Sequence, residues 1–113
     1  MHELSLAEAL IGLVEEECRR FSAGKVRTVR LEIGALAAVE PEALRFCFDV
    51  VARGSAAEGS LLDIVTVPGR GRCLDCRQDI EVNELPALCP ACGRTRIDVT
   101  AGNVMRLKEL EVD

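Results

Sequence analysis

The chain has 113 residues, 49% hydrophobic and 29% charged, with a formal net charge of −5. That length suits one compact domain, or a small core carrying one appendage, with the composition of a globular rather than a disordered or fibrous protein. No apolar run approaches the roughly 20 residues that cross a bilayer, no basic n-region suggests a signal peptide, and an acidic chain without Trp or Tyr is a poor reader of phosphates or stacked bases, so a cytoplasmic protein with no membrane or nucleic-acid partner is expected.

The first predicted element is a helix. Ser5-Leu6-Ala7-Glu8 has the form of a capping box. Leu6, Leu10, Leu13, Val14, Cys18 and Phe21 follow at helical spacing, and Gly24 is the expected terminator. Val29-Arg30-Leu31-Glu32-Ile33 then alternates apolar and charged residues, the pattern of a half-buried strand ending at Gly34. Glu40-Pro41-Glu42 opens a second helix, with proline suited to the first helical position and carboxylates at the positive end of the dipole. Its buried stripe is Leu44, Cys47, Phe48 and Val51, and Gly54 is its stop. The segment 61–67 is apolar on both faces and is expected to lie centrally in a sheet. Pro68-Gly69-Arg70-Gly71 has linker composition. Strand character resumes over 104–112, where a bulge near Lys108-Glu109 would bring Met105 and Leu107 into phase with Leu110 and Val112.

Six cysteines are many for this length. Cys18 and Cys47 lie on apolar helix faces, where core packing accounts for them. The other four form two C-x-x-C knuckles, Cys73-Leu74-Asp75-Cys76 and Cys89-Pro90-Ala91-Cys92. Paired knuckles in a chain without a secretion signal point to a tetrathiolate metal site rather than to disulfides. Zinc is the expected ion, with iron as the competitor, and four sulfur ligands leave no open position for catalysis. The segment 68–103 carries no net charge, so the rest of the chain holds the whole −5.

The sole histidine is His2. Met1 should be retained before so large a side chain. Its amine, the His2 backbone nitrogen and the His2 imidazole can then close adjacent chelate rings, with the Glu3 backbone nitrogen at a fourth corner. Four nitrogens in a plane suit nickel(II) or copper(II). The alternative is a solvated histidine at a frayed terminus.

Together, Met1-His2-Glu3-Leu4-Ser5, Gly34, Val39-Glu40-Pro41-Glu42-Ala43-Leu44, Phe46-Cys47-Phe48-Asp49 and Cys89-Pro90-Ala91-Cys92-Gly93 resemble the HypA/HybF family of hydrogenase maturation factors. The resemblance spans the chain. It implies an α+β fold in which a two-layer α/β nickel-binding domain, two helices on a three-stranded sheet (1–67 plus 104–113), carries an inserted zinc-ribbon-like domain (68–103). It implies a metallochaperone rather than an enzyme. Met1, His2 and Glu3 would be nickel-site residues, with Glu3 tuning affinity or partner choice. Cys73, Cys76, Cys89 and Cys92 would hold structural zinc. The implied partners are the maturation GTPase HypB and the [NiFe]-hydrogenase large-subunit precursor, with urease maturation factors a further option, for a monomer or homodimer. Some relatives carry histidines beside the knuckles and this chain has none. The competing readings are a zinc-ribbon interaction adaptor with an inert N-terminus and an iron electron carrier.

Overall fold

The computed structural model describes residues 2–113. In chain order the elements are α1 (His2–Arg20), β1 (Val26–Gly34), α2 (Pro41–Val51), β2 (Leu61–Val67), β3 (Arg70–Cys73), β4 (Asp79–Glu81), β5 (Ile97–Ala101) and β6 (Met105–Val112). They form an α+β fold with two three-stranded sheets, ordered β2-β1-β6 and β4-β3-β5. The chain divides into two compact units. One holds the chain up to Leu31, Val39–Val65 and Leu107–Asp113; the other holds Glu32–Ala38 and Thr66–Arg106.

In the first unit α1 and α2 pack on each other. The buried side of α1 is Ala7, Leu10, Ile11, Val14 and Cys18, spaced as one helical face requires. α2 buries Leu44, Cys47 and Phe48, and Val26, Val29, Leu31 and Leu62 supply buried strand positions. Glu40 caps α2: its Oε1 accepts the Glu42 N–H at 3.2 Å, and Pro41 takes the first helical position as expected.

Several expectations need correction. α1 starts at His2, so Ser5 and Glu8 are exposed positions within the helix rather than its cap. Its stop is Ser22, not Gly24. Ser22 adopts a left-handed φ of 54°, the Ala23 N–H donates to the Cys18 carbonyl at 2.9 Å, and the Ser22 N–H donates to that of Arg19, which is a Schellman closure. Leu13 and Phe21 face solvent because the buried stripe runs through Ala7 and Ile11 instead. β1, not β2, is the central strand, and the second apolar face of β2 is left open at Leu61 and Val65. Along β6, burial changes phase at the exposed pair Lys108-Glu109, where a bulge was expected.

Within the first unit, Arg30 joins three strands. Its guanidinium donates to Asp63 Oδ2 at 2.8 Å, to Glu111 Oε1 at 3.1 Å and to Glu109. The Arg30 and Arg27 guanidiniums hold the Glu111 carboxyl below its ordinary range.

The second unit is built on antiparallel strands. Arg70, Gly71 and Arg72 of β3 pair with Glu81, Ile80 and Asp79 of β4. On the other side Gly71, Arg72 and Cys73 pair with Val99, Asp98 and Ile97 of β5, after an irregularity between Arg70 and Gly71. The expected linker is therefore partly strand. Its glycines serve close approach: a Cβ on Gly69 would lie 1.8 Å from the Val82 carbonyl oxygen, and Gly102 (φ 81°) would meet Gly69 Cα at 2.4 Å. The buried cluster here is Cys73, Ile80, Val82 and Cys89, with Leu36, Cys76, Ala87 and Ile97 against it. Two of its four buried members are cysteines, so apolar burial contributes little without them.

Candidate metal centre

Local backbone chemistry places the four thiols. In the first knuckle the Cys73 N–H donates to the Gln78 carbonyl (3.0 Å) and the Arg77 N–H returns to the Cys73 carbonyl (2.8 Å). In the second, the Cys89 N–H donates to the Arg94 carbonyl and the Gly93 N–H to the Cys89 carbonyl, both at 2.8 Å. The two loops repeat one hydrogen-bond pattern. Each needs a left-handed residue four places after its first cysteine, and Arg77 (φ 64°) and Gly93 (φ 75°) fill those positions.

This arrangement converges the sulfurs. All four Sγ atoms lie within 4.8 Å of one another. Cys73 and Cys92 are 3.5 Å apart, and Cys76 and Cys89 3.6 Å. A tetrahedral ion with metal–sulfur bonds of about 2.3 Å demands sulfur–sulfur edges of about 3.8 Å. Two edges lie close to that length and every other stays within 4.8 Å, so the four residues fit a tetrahedral ion held by thiolates. None of the six cysteines is joined in a disulfide.

The thiols are electrostatically unequal. The Cys76 N–H, pointing at Cys73 Sγ from 3.5 Å, helps to draw the Cys73 thiol down to about 6. The Cys92 N–H lowers Cys89 in the same way. At Cys92 the Arg94 N–H favours the thiolate, but burial and the neighbouring thiols of Cys73 and Cys89 outweigh it and push the group up to about 12. At Cys76 the Gln78 N–H is likewise overcome by burial and by Cys73 and Cys89. Four negative sulfurs this close cannot coexist without a cation. A divalent ion would supply the missing charge, and binding it would release the remaining protons.

The N-terminal candidates lie in the other unit. His2 occupies the first turn of α1 with its side chain exposed, and Nδ1 is 3.3 Å from Glu3 Oε2. That oxygen also accepts the Glu40 backbone N–H at 3.3 Å, a contact that lowers the Glu3 carboxyl below its ordinary range. Glu3 therefore ties the start of α1 to the residue that caps α2, a link the sequence did not reveal. The backbone N–H groups of His2 and Glu3 fall in the first helical turn, where no carbonyl four residues earlier can take them. Met1, whose amine was expected beside them, lies outside the described residues.

Sequence comparison supplies the context for both sites. The family model described as hydrogenase/urease nickel incorporation, metallochaperone, HypA matches residues 1–112. The hydrogenase maturation factor HypA of Dechloromonas aromatica (strain RCB) is 49% identical, and that of Azotobacter chroococcum mcd 1 is 50% identical, each over the full length of both chains. The solution structure of the Ni metallochaperone HypA from Helicobacter pylori aligns with a TM-score of 0.74 at 32% identity, covering 99% of this chain and 97% of that one. A second solution structure of a HypA protein aligns with a TM-score of 0.73. The chain belongs to the HypA family of nickel-incorporation metallochaperones, which act in hydrogenase maturation.

Proposed function

We propose that this protein carries nickel(II) at its N-terminus and delivers it to the large-subunit precursor of a [NiFe]-hydrogenase, acting with the GTPase HypB. The family assignment gives the cargo. The carrying observation within the chain is the exposed His2 imidazole beside backbone nitrogens that the helix leaves unpaired. The Met1 amine, the His2 amide and imidazole nitrogens and the Glu3 amide would form the planar donor set that nickel(II) favours. Glu3 Oε2, which accepts the Glu40 N–H, lies 3.3 Å from the His2 Nδ1.

A carrier needs exchange, and an exposed terminal chelate passes its ion on through mixed-ligand intermediates without making or breaking covalent bonds of its own. Binding displaces protons from the donors, so nickel affinity falls as pH is lowered. Cys73, Cys76, Cys89 and Cys92 would hold zinc, which supplies folding free energy to the second unit rather than chemistry.

Nickel calorimetry on the untagged protein tests this reading, compared with His2→Ala and with a form extended before Met1. Loss of the tight site in both altered forms is expected, because one removes the imidazole and the other the free amine. Equal binding by all three would refute it and favour the adaptor. A colourless protein after aerobic purification is expected, and a red one would mean iron in the cage.

A further inference from the structure

Beside the sulfur cage lies a polar cluster that the metal-binding reading does not use. Asp75 stands inside the first knuckle, between Cys73 and Cys76, and its side chain is only 16% exposed. Its Oδ1 accepts Arg96 Nη1 at 3.2 Å and lies 3.8 Å from Arg94 Nη1. Both arginines belong to the segment that leaves the second knuckle. The same two stretches of backbone are joined by the Leu74 N–H, which donates to the Arg96 carbonyl at 2.9 Å. The carboxylate is thus a side-chain bridge between the two halves of the cage.

We propose that Asp75 is a positioning residue for the four-cysteine site, forming with Arg94 and Arg96 a clasp that slows loss of the bound ion. This rests on the cage holding a divalent metal. Cys92 is the one exposed ligand of the four, and so the thiolate best placed to leave first. Arg94 follows it by two residues, so the clasp restrains the segment that must move when Cys92 swings away. A tetrathiolate cage around a divalent ion also carries two negative charges. The clasp sets two guanidiniums nearby, while its single carboxylate keeps them oriented. The arginines are well exposed, so the clasp is screened by salt where a buried pair would not be.

The test uses the full chain loaded with cobalt(II), whose thiolate charge-transfer band reports the intact cage. Band decay in excess chelator gives the release rate. Asp75→Asn and the Arg94→Gln/Arg96→Gln pair are each expected to keep the band and to release cobalt about two- to fivefold faster at low salt. Combining them should give no further acceleration, and Asp75→Glu should recover part of the loss. Added salt should speed release from the wild type and leave the variants nearly unchanged, a response that a general packing defect would not show. Wild-type release rates in the variants, accelerations that multiply, or an unchanged salt response would overturn the clasp while the band upholds the cage. Absence of the band from the wild type would overturn both.

Discussion

Replacing Gly93 with alanine, and separately Arg77 with glycine, isolates one physical term of the metal centre. The two knuckles share their hydrogen-bond pattern and their left-handed fourth position, but fill it with different residues. A Cβ added at Gly93 would meet nothing within 4 Å, so no clash contributes and only backbone conformation changes. A non-glycine residue in the left-handed region costs roughly 1–2 kcal/mol. Glycine's extra freedom in the unfolded chain takes back about 0.5–1 kcal/mol of that. The net effect is about 0.5–1 kcal/mol, or roughly two- to fivefold in an equilibrium constant. On the proposal that folding of this unit is linked to a bound zinc ion, that difference should appear in apparent zinc affinity. Competition against a chromophoric chelator should show Gly93→Ala binding zinc about two- to fivefold more weakly. Arg77→Gly should bind it more tightly by a similar factor, and the double exchange should return close to wild type. Weaker binding by Arg77→Gly would refute the argument, and so would a loss beyond about a hundredfold for Gly93→Ala.

Phe48, fully buried on α2, should cost about 3–5 kcal/mol on truncation to alanine, measurable by denaturant unfolding of the first unit. Glu111 is held below its ordinary range, first by Arg30 and then by Arg27. Its stabilising contribution is present above the unfolded value and disappears as pH falls through the lower folded value; Glu111→Gln should flatten acid unfolding in that window. Stripping the cage with a chelator should collapse amide dispersion across Thr66–Arg106 while the buried residues of α1 and α2 keep theirs; uniform loss over the chain would contradict the two-unit division. His2→Ala should change stability by no more than about 0.5 kcal/mol, the usual range for an exposed substitution, although His2 lies within α1 and not ahead of it.

What was legible in the sequence was what is local. A C-x-x-C knuckle is closed by hydrogen bonds spanning five and six residues, so spacing alone foretold the cage. Glu40-Pro41 carries its own capping chemistry and marked the start of α2. α1 starts ahead of Ser5 because a capping box is only permissive and the residues before it continue the helix; the buried face runs through Ala7 and Ile11, and Leu13 and Phe21 lie off it. The apolar faces of β2 suggested burial on both sides, but pairing partners decide strand position, and those lie far away in the chain. The same reason hid two long-range contacts. Glu3 meets the Glu40 backbone 37 residues on, and Asp75 meets Arg96 21 residues on. No periodicity encodes either contact.

Nickel K-edge absorption on the native, untagged protein, loaded with one equivalent of nickel and with its zinc retained, probes the assignment most directly. A planar shell of four nitrogen donors with no sulfur, lost in His2→Ala, is the predicted spectrum. Sulfur scattering from nickel, or a spectrum that His2→Ala leaves intact, would place the cargo elsewhere and contradict the account.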